Sequence, residues 1–191
     1  MEQAARFNAA MQQFDEANAQ DPSGEALLYA KRMSEWLVQL APDASEPLRL
    51  AARSQHLCRW SIPRDSYPMT RAGYHRWRSA AADFHARKAA QILRDVGYEP
   101  AVIQRVQSLL RKENLKSDAD MQMLEDVICL VFLENYFSDF AQRHDEAKLL
   151  TILRRTWAKM SPRGQAAAMA LPLSHPDREL ILKASGETES T

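Results

Sequence analysis

Three short stretches of the sequence carry residue types able to do polar chemistry within otherwise apolar surroundings. Arg53-Ser54-Gln55-His56-Leu57-Cys58-Arg59-Trp60 gathers a histidine, two arginines, a glutamine and a tryptophan. Asp83-Phe84-His85-Ala86 sets a second histidine in an alanine-rich run, and Leu124-Glu125-Asp126 places two acids directly before the most apolar segment of the chain. Neutral imidazole is the usual nitrogen ligand of zinc, iron or manganese, and carboxylates complete such sites. An ionised carboxylate is costly to bury unless it is paired or metal-bound. One pocket combining His56, His85 and Asp126 would therefore suit a divalent metal such as Mn, Mg, Fe, Co or Ni. In that scheme His56, Glu125 and Asp126 are the candidate catalytic groups, with Glu125 a general base or an outer acceptor. The same residues have a plainer use, a histidine bonded to a buried carboxylate with an arginine closing the network. The spacing His-x28-His-x40-Asp is too loose to decide between the two.

Cations crowd the same region. From Arg53 to Arg78 there are six arginines and one acid, Asp65, although the whole chain holds 25 basic and 25 acidic residues. Guanidinium forks match phosphate or carboxylate in bidentate fashion. Arg53, Gln55, Arg59, Arg71, Tyr74, Arg78 and Lys112 are accordingly the candidate set for holding an anionic or phosphorylated small molecule. Trp60, Tyr67, Tyr74 and Trp77 can stack a base or a guanidinium. The competing use pairs the arginines with Glu125, Asp126 or Asp83 and buries the aromatics in the core. Balanced net charge and the lack of a known RNA motif make RNA the weaker partner.

Long helices must position these groups. The chain has 191 residues, 46% of them hydrophobic, enough for one domain with a real core. Five glycines are too few for a sheet with many tight turns. Apolar spacing predicts helices over 6–19 and 25–40. A third should run over about 46–60, with Ser45 as its N-cap and Pro47 in its first turn. There Arg53, His56 and Trp60 would share one face. Residues 61–69, with two prolines, read as an ordered loop. Thr70 caps a long helix to about Val96, with Gly97 as its C-cap, and Pro100 starts another to about Lys112. Asp118 or Asp120 caps a helix whose centre, Val127 to Leu133, is apolar all round and so expected to be buried. Residues 146–159, a short piece from Ser161, and 177–184 complete an all-α, single-domain bundle of seven to nine helices over 1–185. A flexible tail is expected at 186–191. His144-Asp145 reads as surface or as a helix cap. Cys58 and Cys129 are the only cysteines, with no CxxC, and are expected to be buried thiols. With no signal peptide and no apolar run able to span a bilayer, the expected setting is the cytoplasm, with no membrane partner.

The order of helices is similar to that of the HD superfamily of metal-dependent phosphohydrolases over about residues 25–134. Leu50-Ala51-Ala52-Arg53-Ser54-Gln55-His56 resembles the helix that ends in that family's His-Asp pair. The run from His85 to Leu93 followed by Gly97-Tyr98, the helix from Val102, and Leu124-Glu125-Asp126 resemble its later segments. The chain departs from that pattern, since Leu57 stands where the pair has aspartate, and no histidine precedes His56. A closer resemblance covers nearly the whole chain. Gln55 to Trp60, Ile62-Pro63-Arg64, Gly73-Tyr74 with Trp77-Arg78, Phe84-His85-Ala86, Leu124-Glu125-Asp126 with Cys129 to Glu134, and Thr156 to Ser161 resemble an uncharacterised bacterial and fungal family of unknown function. The HD resemblance implies an HD-like fold and a metal-dependent hydrolase acting on a phosphorylated small molecule or nucleotide. The alternative is a non-catalytic HD-like protein that binds an anionic metabolite or nucleotide in an Arg/His pocket.

Overall fold

The computed structural model describes residues 2–113 and 117–186. The expected tail beyond Gly186 lies outside the described residues. Their regular structure is all helix, with no strand among the described residues. Ten α-helices alternate with turns: α1 (Glu2–Asn18), α2 (Glu25–Leu40), α3 (Glu46–Ser54), α4 (Arg71–Asp95), α5 (Pro100–Arg111), α6 (Ala119–Asn135), α7 (Phe137–Ala141), α8 (Glu146–Trp157), α9 (Pro162–Met169) and α10 (His175–Ser185). The one beyond the expected range is α7, a five-residue turn directly after α6. No helix of the described residues is long and apolar enough to cross a membrane. The helices gather into two compact units, residues 1–124 and 125–191, with the boundary falling inside α6.

In the first unit, α5 packs on both α3 and α4, and α1 lies against α2, α3 and α4. Its core is built from Phe14, Met33, Leu37, Leu48, Leu50, Leu93, Val106 and Leu109, all essentially inaccessible. The helix starts follow local capping rules. Ser45 Oγ accepts from the Leu48 N–H, and Pro47 sits in the first turn of α3, where its missing N–H costs nothing. Thr70 does the same for α4 through Gly73 N–H. Asp118 accepts from the Asp120 and Met121 amides at the start of α6, and it is held by a paired hydrogen bond from Arg105 on α5. That guanidinium holds the Asp118 carboxyl at about 2.

One expected boundary is wrong. α3 ends at Ser54, not near Trp60. Residues 55–58 form a turn, 59–61 a short 3-10 segment and 64–66 another. Arg53, His56 and Trp60 therefore do not line one helical face. The loop that follows is ordered by Arg64, whose guanidinium donates to the carbonyls of Tyr67 (2.9 Å) and Pro68 (2.9 Å). Gly73 is required beneath it, because a Cβ there would sit 2.0 Å from the Pro68 carbonyl oxygen.

In the second unit, α8 packs against α10, and α10 touches α7. The apolar run of α6 buries Val127, Cys129, Leu130, Val131 and Leu133, as a helix without a polar face must. Asp145 caps α8 by accepting from Lys148 N–H at 2.8 Å, so His144-Asp145 serves as a helix start. Cys58 and Cys129 are both buried free thiols.

Candidate functional site

The site begins where α3 stops. Nothing in the local sequence breaks the helix after Ser54; side chains from other helices do. Cys58 adopts a left-handed φ of 53°, rare for a residue with a Cβ. Its N–H is taken by Asn18 Oδ1 at the end of α1, 3.0 Å away. The Leu57 carbonyl meets His85 Nδ1 of α4 at 2.7 Å. These bonds satisfy backbone groups that a continued helix would have used, and the chain turns.

The turn brings His56 and His85 together, with ring centroids 5.8 Å apart. Tyr29 of α2 stacks on the other side of His56, centroids 4.2 Å apart and planes 20° from parallel. Both imidazoles are kept neutral. Burial pushes the His56 pKa well below its ordinary value, and Arg59, His85, Lys112 and Arg78 push in the same direction. Burial likewise lowers His85 to about 4, against the raising effect of its bond to Leu57. A carbonyl oxygen can only accept, so His85 carries its proton on Nδ1 and leaves a lone pair on Nε2. That Nε2 is buried and has no hydrogen-bond partner. The amide oxygen of Gln55, at the start of the same turn, is in the same condition.

Arg59 supplies the charge. Its guanidinium lies 4.6 Å over the Trp77 ring, and Trp77 Nε1 is anchored on the Ile62 carbonyl at 3.0 Å. Burial lowers the Arg59 pKa, and Arg78 adds to that. Among the described residues no carboxylate or other hydrogen-bond acceptor meets this guanidinium. Further out, Arg64 reaches the Tyr74 and Trp77 rings (5.9 Å each), and Arg78 lies 5.8 Å from Tyr74. Tyr74, Arg71 and Arg78 are exposed on the first turns of α4. Lys112, half-buried at the C-cap of α5, acts on His56 through its charge.

Two expected site residues have other work. Arg53 makes a paired bond to Asp15 of α1, Nε to Oδ1 at 2.7 Å and Nη2 to Oδ2 at 2.6 Å, and a further one to Ser34. It braces α3 against α1 and α2. Asp126 is almost fully buried in the second unit, where its oxygens accept from the Ser161 N–H (2.7 Å) and from the Ser161 hydroxyl. Ser161 Oγ in turn accepts from Gly164 N–H as the N-cap of α9. A Cβ on Gly164 would meet the Asp126 carboxyl at 2.7 Å, which shows how closely the carboxylate is seated. Glu125 is buried with Lys159 Nζ 3.5 Å from its carboxylate. Among the described residues no group of three His, Cys, Asp or Glu side chains is placed to hold a metal ion. Asp126 is engaged by Ser161 within the second unit, and His56 and His85 pair within the first.

Two contributors escape sequence reasoning. Tyr29 sits in Leu27-Leu28-Tyr29-Ala30, which looks like any core-facing helix stretch. Asn18 reads as an ordinary helix end, and only its bond to Cys58 reveals its part.

A helical protein with a neutral histidine pair beside an uncompensated, half-buried arginine is the class this arrangement defines. A family model described as a domain of unknown function (DUF4202) matches residues 8–181, and the chain belongs to that family. No curated protein and no solved structure matches it.

Proposed function

We propose that the turn from Gln55 to Arg59 binds an anionic small molecule, a phosphomonoester by preference. The observation that carries this is Arg59. A half-buried guanidinium that meets no carboxylate among the described residues is open to a charge-assisted bond, and a ligand oxyanion would supply it. The charges that weigh most on His56 are also cationic, which favours an anion at this place. The reading fits a cytoplasmic setting, with both cysteines as free thiols.

Thermal unfolding of the whole chain with methyl phosphate, pyrophosphate and sulfate tests it. A ligand at about one hundred times its Kd should add about 2.7 kcal/mol of stability. Arg59→Met keeps the stem packed on Trp77 while removing the charge. It should abolish that gain and cost the free protein no more than about 1 kcal/mol, the scale of one cation–π contact. If no anion shifts the wild-type unfolding, the proposal is wrong.

The HD-like hydrolase remains the second reading, and one observation favours it. A histidine whose Nδ1–H is fixed on a carbonyl presents Nε2 in the way metal-ligating histidines do. Elemental analysis of the native protein, with a screen of phosphorylated metabolites in Mn, Mg, Co and Ni, decides it. Neither metal nor turnover under these conditions would end that reading.

A further inference from the structure

An anion site needs donors, yet His85 presents a lone pair. Its Nδ1 proton is committed to the Leu57 carbonyl at 2.7 Å, and the residue is 3% exposed. It therefore has no proton to give a phosphate oxygen, and Nε2 would face such an oxygen lone pair to lone pair. The unmet need at Nε2 is for a donor. The Gln55 amide oxygen, buried and unpartnered, repeats the same need one residue before His56. Arg59 acts on both imidazoles through its charge, and around the same turn two buried acceptors, His85 Nε2 and Gln55 Oε1, lack a hydrogen-bond partner. Buried acceptors are rarely left so, and each asks for a specific partner.

We infer that the ligand carries a hydroxyl or N–H donor close to its anionic group, and that His85 Nε2 accepts from it. The ligand class is then hydroxylated organic phosphates, such as polyol and sugar phosphates. Inorganic phosphate and plain alkyl phosphates would satisfy Arg59 and leave His85 unmet. This inference rests on the anion reading of Arg59 and narrows it. His85 is placed as a binding and specificity residue. A site built to hydrogen-bond a ligand hydroxyl rejects the analogue lacking it, because its own buried groups are then left unpaired.

The test uses the full chain and matched probes: methyl phosphate, glycerol 3-phosphate and ribose 5-phosphate, measured by calorimetry. At least one hydroxylated phosphate should bind about tenfold to a hundredfold more tightly than methyl phosphate, the factor expected for satisfying one buried acceptor. His85→Phe should lose that preference while still binding methyl phosphate. Because this substitution can disturb the fold, a second readout uses the wild-type chain labelled with 15N-histidine. The free protein should show His85 Nε2 as an unprotonated nitrogen, and its resonance should move to lower frequency with the hydroxylated phosphate but not with methyl phosphate. If methyl phosphate binds and the hydroxylated probes bind no better, or Nε2 does not move, the inference fails and the anion reading stands. If none of the three binds, both fail. Manganese alone broadening the His85 signals at stoichiometric levels would also overturn the inference, since Nε2 would then be a metal ligand.

Discussion

Asp126 separates a structural role from a catalytic one, and its removal has a calculable cost. Two hydrogen bonds run from Ser161 to its carboxylate, one from the amide at 2.7 Å and one from the hydroxyl. Bonds to a charged acceptor contribute about 1.5–3 kcal/mol each. Asp126→Ala deletes both, leaves the Ser161 amide without this acceptor and opens space beneath Gly164, where a Cβ would have met the carboxyl at 2.7 Å. Relief from burying a carboxylate offsets part of the loss, so a net cost of about 2–4 kcal/mol is expected. Against a typical stability of about 5–15 kcal/mol this is large. Asp126→Asn should cost only about 1 kcal/mol, since its carbonyl still accepts from the amide and its NH2 can donate to the hydroxyl. Ser161→Ala should cost about 1 kcal/mol for the lost N-cap of α9. In the double mutant the two losses should fall short of additive by at least about 1 kcal/mol, because each single change breaks the same bond. Urea unfolding at pH 7, followed by far-ultraviolet circular dichroism, measures the four variants and the wild type. An Asp126→Ala protein within about 0.5 kcal/mol of wild type would refute the structural assignment. It would do so most clearly if metal binding or turnover were lost at the same time.

The histidine pair makes stability depend on pH with a fixed sign. His85 titrates at about 4 when folded and near 6.5 as a free side chain, so between these values the unfolded chain binds more protons. Its contribution is complete above pH 6.5 and is lost as the pH falls through 4, amounting to about 3 kcal/mol in all, with His56 adding in the same direction. Urea midpoints at pH 7.5, 5.5 and 4.5 should fall in that order, and a flat profile would mean the imidazoles take up protons as readily in the folded chain as in the unfolded one. Arg53→Met should destabilise the protein by about 2–3 kcal/mol through its loss of Asp15, yet leave phosphate affinity within about twofold. A selective loss of affinity would return Arg53 to the ligand set.

The parts of this fold that depend on neighbouring residues were legible in the sequence. α2 and α5 lie within a residue of the expected bounds, and Ser45, Thr70 and Asp118 cap where their hydroxyls and carboxylate suggest. Such rules act within one helical turn, so the information is local. The end of α3 was not legible, because Asn18 and His85 set it from 40 and 28 residues away. The same limit applied to charge. Arg53 and Arg59 look alike in the sequence, six residues apart. Only the partner distinguishes them, a carboxylate 38 residues earlier for Arg53 and an indole face for Arg59. Asp126 is of the same kind, since the Ser161 that meets its carboxylate lies 35 residues away.

The turn after α3 and the candidate site are one construction. A glycine at position 58 would adopt the left-handed backbone without strain, whereas Cys58 holds it at a cost of about 1–2 kcal/mol. What glycine would forfeit is definition, since it populates many conformations and would let the turn wander. Cys58 limits that freedom, Asn18 fastens its N–H, and His85 fastens the carbonyl before it. The last of these bonds has a consequence for chemistry. By spending its Nδ1 proton on the backbone, His85 is fixed in the tautomer that leaves Nε2 as an acceptor. The bond that ends the helix therefore also sets what the site can recognise. A protonated His85 would be a donor to phosphate, and the proposed site would select for charge alone. A neutral His85 held on Leu57 instead asks for a ligand with both an anion and a donor, which is a more selective demand.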